Sequence, residues 1–220
     1  MSRLTLGCRG NLIPIALAFC LWLAHTARAD DFALRNGDTV VFLGDSITAA
    51  RSYGKMIENY TLLRFPQRKI RFVNAGIGGD TAAGGLKRLE RDVFAHGATV
   101  LTVAFGTNDI GWGVLADEEH KRTYLEEVRG IVTECRKRRV RVFICSAAVT
   151  GADPNTSEES FLQKMCDEGM EVSRSLGGGA IDVQRTMREI QKRVWKFSES
   201  ITDPAKKYSL HLADGVHLND

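Results

Sequence analysis

Three residues of this chain have the side chains of a nucleophile and its proton relay. Ser46 ends the segment Gly-Asp-Ser at residues 44–46, after an apolar run, and Asp214 and His217 lie three residues apart much later. Such a set allows the hydroxyl to attack, the imidazole to accept its proton and the carboxylate to orient the imidazole. Ser46 also suits an ordinary helix cap, and His211 is a competing candidate for the base.

A fourth side chain could stabilise the negative charge that develops during such an attack. Asn108 lies in the segment Gly-Thr-Asn-Asp at residues 106–109, after another apolar run. Its amide NH₂ group can donate a hydrogen bond to an oxyanion, whereas an Asn-Asp pair alone would also suit a turn. The glycine-rich segment Asn-Ala-Gly-Ile-Gly-Gly-Asp, residues 74–80, lies between the serine and the asparagine.

These four segments, in their order along the chain, resemble the motifs of the SGNH (GDSL-type) serine esterase/lipase family. The resemblance runs from about Thr39 to the last residue, although Ile47 replaces the leucine that usually follows the serine. It implies that Ser46, Asp214 and His217 are the catalytic residues, and it selects His217 over the earlier histidine. It also implies hydrolysis of an ester through an acyl-enzyme.

The resemblance further implies an oxyanion hole with three donors. These are the backbone N–H groups of Ser46 and Gly79 and the side chain of Asn108. Gly78 is the alternative to Gly79 if the motif alignment shifts by one residue. The family resemblance implies no cofactor, and the sequence contains no zinc motif with supporting ligands.

Short apolar runs alternate with longer amphipathic segments along the chain. The strand candidates are Thr39–Leu43, Ile70–Asn74, Thr99–Phe105, Val140–Ser146 and Ala180–Val183. Such alternation predicts βαβ units with right-handed crossovers, and continuous apolar strands are typical of a sheet covered on both faces. We predict an α/β fold, a flavodoxin-like three-layer α/β/α sandwich with a five-stranded parallel sheet.

Helical periodicity marks the segments between the strands. The clearest apolar face recurs at helical spacing at Tyr124, Leu125, Val128, Ile131, Val132 and Cys135. Weaker patterns predict helices at about Ser52–Phe65, Leu86–Phe94, Glu158–Leu176 and Arg185–Ser198.

The predicted strands bring the candidate residues to one edge of the sheet. Ser46 follows the first strand, Gly79 the second and Asn108 the third. In open α/β sheets, ligands bind outside the carboxyl ends of the strands. The sequence therefore predicts one site at this edge.

The first 29 residues have the features of a secretory signal peptide. Two arginines precede an apolar stretch from Leu12 to Leu23, and the small residues Ala27 and Ala29 mark a cleavage site. The stretch is shorter than the roughly 20 residues that a membrane span requires. We predict cleavage after Ala29, a secreted or periplasmic protein and no stable membrane anchor; the alternative is a retained N-terminal anchor.

Residues 30–220 are then expected to form a single hydrolase domain. Proteins that the chain resembles usually continue into a C-terminal closing helix, whereas Asp220 comes three residues after His217. The absence of that helix is explained either by a truncated sequence or by a domain that manages without it, and a catalytically impaired carbohydrate-binding relative is one alternative function.

The charge balance disfavours nucleic acid as a partner. Of the 30 basic residues, three lie in the first 29 residues, so residues 30–220 carry as many acidic as basic side chains. The one basic cluster, residues 136–139, suits the C-terminal end of a helix, where cations complement the helix dipole.

Three cysteines remain after the predicted cleavage: Cys135, Cys145 and Cys166. An odd number leaves at least one free thiol, and none of them forms a Cys-x-x-Cys pair. The sequence alone leaves a disulfide between Cys135 and Cys145 open.

The loops nearest the predicted site indicate the substrate class. They are Thr48–Tyr53, Ile110–Leu115 and Ala147–Asn155, and most of their side chains are small or polar. Trp112 is a candidate to stack on a sugar, although an aromatic side chain can also simply cover a loop. We predict removal of short acyl groups, such as acetyl, from a carbohydrate ester; a lysophospholipase-like or thioesterase-like hydrolase is the alternative.

Overall fold

The computed structural model describes residues 33–200 and 210–219. The predicted signal peptide, residues 1–29, lies outside them. The compact unit that contains the sheet begins at Asn36. Within the described ranges, no helix is both long enough and apolar enough to cross a bilayer.

Five strands form one sheet in the described residues. They are β1 (Thr39–Gly44), β2 (Arg71–Gly76), β3 (Val100–Ala104), β4 (Arg141–Cys145) and β5 (Gly179–Ile181). Their order is β2-β1-β3-β4-β5, and every neighbouring pair is parallel. The register pairs Gly44 with both Gly76 and Ala104, so the three strands that precede the candidate residues end at the same level.

Helices cover both faces of this sheet. In the described residues they are α1 (Ser46–Ala49), α2 (Ser52–Arg64), α3 (Ala82–Lys87), α4 (Leu89–Asp92), α5 (Glu118–Lys137), α6 (Phe161–Ser175) and α7 (Val183–Glu199). Short 3₁₀ turns lie at Phe94–His96, Gly111–Gly113 and Ser157–Glu159. The predicted three-layer α/β/α sandwich with a five-stranded parallel sheet is confirmed.

Alternate side chains of β1 point to the two faces, as the period of a strand requires. Val41 and Leu43 belong to the large core cluster, on the face where α3 and α6 pack against α5. Phe42 points to the other face, where its ring meets Tyr53 of α2 edge-on at 5.5 Å. The main core therefore lies under α3, α5 and α6.

Side-chain caps define where the long helices α5, α6 and α7 begin. Asp117, Ser160 and Asp182 each accept a hydrogen bond from a backbone N–H in the first turn of the helix that follows. Such caps satisfy donors that a helix leaves unpaired at its N-terminal end. The apolar face predicted from Tyr124 to Cys135 lies within α5 and is buried, except that Leu125 is only partly buried.

The single helix predicted over Leu86–Phe94 is wrong in its bounds and its continuity. The chain is helical from Ala82, where Thr81 caps the first turn and the Asp109 carboxylate accepts the Ala82 N–H at 2.9 Å. It leaves helical geometry at Arg88. These contacts with distant residues override the local apolar pattern.

The three cysteines of the sheet and helices are all free and buried. Cys135 and Cys145 therefore form no disulfide. Burial raises the pKa of the thiols of Cys135, Cys145 and Cys166 to about 12, so each behaves as a small apolar side chain.

Candidate active site

Ser46 is the first residue of α1, directly after the carboxyl end of β1. The Asp45 side chain caps this helix by accepting the backbone N–H of Ile47 at 3.0 Å. The Ser46 hydroxyl is thus carried on a tight strand-to-helix turn. The turn also explains why an acidic residue precedes the serine, since a carboxylate is a favoured helix cap.

Two glycines allow α1 to approach the sheet. A Cβ on Gly44 would lie 2.1 Å from the Thr48 hydroxyl oxygen and 2.8 Å from the Ala104 carbonyl oxygen. A Cβ on Gly76 would lie 2.2 Å from the backbone nitrogen of Ala49. No larger residue fits at either position without displacing the turn that carries Ser46.

His217 lies between Ser46 and Asp214 in one continuous set of hydrogen bonds. Its Nε2 is 2.8 Å from the Ser46 hydroxyl oxygen, and its Nδ1 is 2.6 Å from a carboxylate oxygen of Asp214. A carboxylate at Nδ1 favours the tautomer whose Nε2 accepts the serine proton. The structure therefore brings together the three residues that the sequence predicts.

Asp214 is held ionised by its own turn. Its Oδ1 accepts the backbone N–H groups of Val216 and His217, each at 2.9 Å. These bonds and the contact with the His217 ring lower the pKa of Asp214 to about 2. The carboxylate is therefore charged at neutral pH and can steady a positive imidazole.

The competing histidine has a different environment. His211 is buried, and its Nε2 contacts the Val149 carbonyl oxygen at 2.9 Å. An antiparallel bridge joins His211 to Leu218, which helps to place the turn that carries His217. The structure brings His217, and not His211, to the Ser46 hydroxyl.

The amide of Asn108 is fixed at both ends. Its Nδ2 donates to the Asp80 carbonyl oxygen at 2.9 Å, and its Oδ1 accepts the Trp112 indole N–H at 2.8 Å. An amide nitrogen carries two hydrogens, so one remains for a substrate oxygen. The orientation of this donor is set before any substrate arrives.

The two backbone donors predicted for the oxyanion are unpaired. Within the described part of the chain, the N–H groups of Ser46 and Gly79 donate to no other residue. Gly79 has a φ of +73°, which glycine adopts without strain. Gly79 remains the predicted donor, with Gly78 as its neighbour in the same loop.

Trp112 contacts both Asn108 and His217. Besides its bond to Asn108, its ring lies 5.8 Å from the His217 ring in an edge-to-face contact. It has a φ of +58° in the Gly111–Gly113 turn, a conformation that costs a non-glycine residue of order 1 kcal/mol. The sequence predicted a substrate contact here but not the hydrogen bond to Asn108.

Arg88 is a residue that sequence reasoning missed. Its buried guanidinium donates to the carbonyl oxygens of Gly44 at 3.1 Å and Ala75 at 2.7 Å, and it pairs with the carboxylates of Asp80 and Asp92. It therefore ties the turn before Ser46 to the loop whose Asp80 carbonyl holds the Asn108 amide. The one feature in the sequence that pointed to Arg88 was its charge within the predicted amphipathic helix Leu86–Phe94.

Asp109 has a carboxylate that is only half satisfied. One oxygen caps α3, whereas the other is buried without a partner in the described residues. Burial raises the pKa of this carboxyl to about 6. Among the described residues, no group of three or more His, Cys, Asp or Glu side chains is arranged to hold a metal ion.

Two cavities border this part of the molecule. One of about 430 Å³ is lined by Trp112 and Asp214 and extends over the loop that follows β4 and the first turns of α7. The other, of about 340 Å³, lies on the face of α2 and α7; Phe42, Ile47, Tyr53 and other mostly apolar side chains line it.

Comparisons with known proteins identify the family of this chain and a curated relative. The model of the GDSL-like lipase/acylhydrolase family matches residues 42–220. An acetylxylan esterase from Geobacillus stearothermophilus is 33% identical over 122 residues, which cover 46% of this chain and 55% of that protein. The chain thus spans about half the length of this curated relative.

Solved structures share the fold. A gut microbial diltiazem-metabolizing enzyme matches with a TM-score of 0.72 at 25% identity, covering 84% of this chain and 44% of that one. An acetylxylan esterase from Geobacillus stearothermophilus matches with a TM-score of 0.68 at 20% identity, covering 86% of this chain and 90% of that one. The second likeness, at its lower identity, concerns the fold alone.

Proposed function

We propose that this chain, which belongs to the GDSL-like lipase/acylhydrolase family, is a serine ester hydrolase that works through an acyl-enzyme. One observation carries the proposal: Ser46, His217 and Asp214 are joined by hydrogen bonds of 2.8 and 2.6 Å. This is the arrangement that converts a weakly nucleophilic hydroxyl into an attacking group.

The reaction has two balanced halves. The Ser46 oxygen attacks the ester carbonyl while His217 Nε2 takes the hydroxyl proton. His217 then returns that proton to the leaving alcohol, and the acyl group remains on Ser46. In the second half His217 takes a proton from water, the resulting hydroxide attacks the acyl-enzyme, and Ser46 regains its proton as the acid leaves.

Each tetrahedral intermediate carries a negative oxygen. The unpaired N–H groups of Ser46 and Gly79 and the free hydrogen of the Asn108 amide are the proposed donors to it. Asp214 remains ionised throughout and stabilises the imidazolium of His217. Donors that are fixed in advance are valuable because they need no reorganisation when charge develops.

A carbohydrate acetyl ester is the proposed substrate. The curated relative with 33% identity is an acetylxylan esterase, and the cavity beside Trp112 and Asp214 has a mixed polar and apolar wall. Both features support a short acyl group on a polar alcohol.

A second candidate function, hydrolysis of longer acyl esters or thioesters, is favoured by the other cavity. Its wall is mostly apolar and includes Ile47, the residue that follows Ser46. The two candidates differ in acyl preference. Initial rates with p-nitrophenyl acetate, butyrate and octanoate, together with acetate release from acetylated xylan, decide between them: a clear octanoate preference without acetate release supports the second.

The nucleophile is tested with an organophosphonate probe on the purified protein. We expect the probe to label Ser46, and Ser46→Ala to abolish both labelling and ester turnover. Ser52→Ala is the matched control and should retain both. A folded protein that is neither labelled nor active would favour a catalytically impaired carbohydrate-binding relative instead.

Export is proposed from the sequence features of residues 1–29. N-terminal sequencing of protein recovered outside the cytoplasm is expected to begin at Asp30. An unprocessed N-terminus would contradict cleavage after Ala29.

A further inference from the structure

We infer that the cavity of about 430 Å³ beside Asp214 is a saccharide subsite for the alcohol part of the ester, and that Gln184 is its polar anchor. The inference rests on the proposed function, because it names the part of the substrate that a carbohydrate esterase must hold. The volume lies within the range of about 300–1,000 Å³ that small-molecule sites usually have.

Gln184 lines this cavity, and the state of its side chain is unusual. The residue is only 3% exposed, yet its Oε1 has no hydrogen-bond partner among the described residues. An unpaired buried polar group costs about 1–3 kcal/mol, and buried polar groups in folded proteins are generally paired. A ligand in the cavity can supply the missing partner.

The chemistry of that partner is a hydroxyl group. A hydroxyl both donates and accepts, so it satisfies the carboxamide in either orientation of its oxygen and nitrogen. An acyl chain offers no hydrogen-bond partner at all, and a phosphodiester offers acceptors alone. The unpaired Oε1 of Gln184 therefore favours a polyol over a lipid.

The charges of the wall indicate a neutral ligand. Arg188 and Asp214 are its only charged side chains among the described residues. Arg188 donates to Ser157 at 2.9 Å and to Gln163 at 2.5 Å, and it pairs with Glu158. Asp214 is bonded to His217. A phosphate headgroup would find no free cation here, whereas a sugar needs none.

Apolar surface accompanies the polar anchor. Trp112, half exposed, lines the same cavity, together with Ile110 and Phe161. A sugar ring presents both hydroxyl groups and an apolar C–H face, so it matches a wall that combines aromatic surface with a carboxamide. Because Asp214 of the hydrogen-bonded set also lines the cavity, a sugar held here lies beside the reacting ester.

The test replaces Gln184 by methionine, which has similar volume and no hydrogen-bonding amide. The readout is kcat/KM for acetylated xylo-oligosaccharides divided by kcat/KM for p-nitrophenyl acetate. We expect this ratio to fall about fivefold to tenfold in Gln184→Met, mainly through a higher KM for the saccharide, as the loss of one hydrogen bond implies. Lys192→Met, a partly exposed position on the same helix that does not line the cavity, should leave the ratio unchanged.

Measurements of Tm and of saccharide binding distinguish a ligand-binding role of Gln184 from a purely structural one. Because Gln184→Met removes an unpaired buried group, its Tm should equal or exceed that of the wild type, whereas a structural glutamine would lower it. Calorimetric titration of xylotetraose into Ser46→Ala should give a Kd that Gln184→Met, added to that background, weakens by a similar factor.

Two negative results are distinguishable. If the wild type deacetylates the oligosaccharides and Gln184→Met keeps the wild-type ratio within twofold, the subsite is overturned and the proposed function stands. If the wild type hydrolyses p-nitrophenyl acetate but releases acetate from no saccharide, and xylotetraose does not bind, the subsite and the proposed carbohydrate substrate are both overturned, while the proposed ester hydrolase stands.

Discussion

The indole N–H of Trp112 donates a hydrogen bond of 2.8 Å to the side-chain oxygen of Asn108. This bond fixes which end of the amide carries the hydrogens, so that the free N–H is available to a substrate oxygen. Trp112 is held in a left-handed backbone conformation, and such strain is often retained where a side chain must be positioned. The pair links an exposed aromatic residue to the proposed oxyanion donor.

Replacing Trp112 by phenylalanine tests whether Trp112 orients the Asn108 amide or only contacts the substrate. The ring remains, but the N–H that orients Asn108 is lost, so we expect kcat for p-nitrophenyl acetate to fall about tenfold with little change in KM. Trp195→Phe is the control, because Trp195 lies on α7 and takes no part in the hydrogen bonds or ring contacts of Asn108 and His217. A higher KM at unchanged kcat would instead identify Trp112 as a substrate contact alone.

Asn108→Ala removes the proposed oxyanion donor itself. We expect kcat to fall by roughly a hundredfold or more, since one such donor contributes about 3 kcal/mol to the transition state. KM should change little, because the bond forms mainly as charge develops. Steady-state kinetics with p-nitrophenyl acetate measure both parameters. A tenfold rise in KM at wild-type kcat would show that Asn108 binds the ground state.

The sequence predicted the sheet well because its three central strands, β1, β3 and β4, are largely buried and therefore apolar. All five strands lie within two residues of their predicted bounds at either end. The strand β5 ends at Ile181, two residues before the predicted Val183. The reason lies in Asp182, whose side chain caps α7 and so ends the strand. Continuous apolar runs reveal a strand, whereas its last residue is decided by the cap that follows.

The site was predictable where a short motif carries it. Ser46 and the Asp214–His217 pair are each local patterns, and the resemblance to a family joined them. Arg88 was not predictable, because its partners include backbone carbonyls at Gly44 and Ala75. Every residue has a backbone carbonyl group, so a sequence does not show which carbonyls a side chain will contact. The parallel register of the strands brings the carbonyls of Gly44 and Ala75 to the guanidinium of Arg88.

Arg88→Met is expected to lower both stability and kcat. It removes the guanidinium that donates to the Asp80 carboxylate and to the Gly44 and Ala75 carbonyl oxygens, and breaking a buried ion pair in this way costs about 3–5 kcal/mol. Urea unfolding measures the loss. At a temperature where the variant is fully folded, kcat should also fall with little change in KM, since the Asp80 loop holds Asn108.

Arg91→Met is the matched control for Arg88. Arg91 also pairs with Asp92 but is exposed, so its removal should change the unfolding free energy little and leave kcat unchanged. Arg88→Lys keeps the charge without the guanidinium fork and should be intermediate in both measurements. A folded Arg88→Met with wild-type kcat would limit Arg88 to a structural role.

The buried carboxyl of Asp109 makes stability depend on pH with an unusual sign. Its pKa is raised to about 6 in the folded protein, against about 3.9 in an unfolded chain, so folding favours its protonated form. The contribution of this protonation to the unfolding free energy is fully present below the unfolded pKa of about 3.9 and is lost as pH rises towards 6 and above. Asp109→Asn cannot ionise and escapes this loss. We therefore expect the unfolding free energy of the variant, relative to the wild type, to rise by roughly 1–2 kcal/mol between pH 5 and pH 8.

Urea unfolding of both proteins at the two pH values measures that difference, whatever the absolute effect of the substitution at either pH. Asp92→Asn is the control, because the Arg91 and Arg88 guanidinium groups lower the pKa of Asp92 to about 2. Both the folded and the unfolded pKa of Asp92 then lie below pH 5, so its difference from the wild type should be the same at pH 5 and pH 8. If Asp109→Asn behaves like that control, the carboxyl of Asp109 titrates normally, and its partnerless oxygen is solvated in solution.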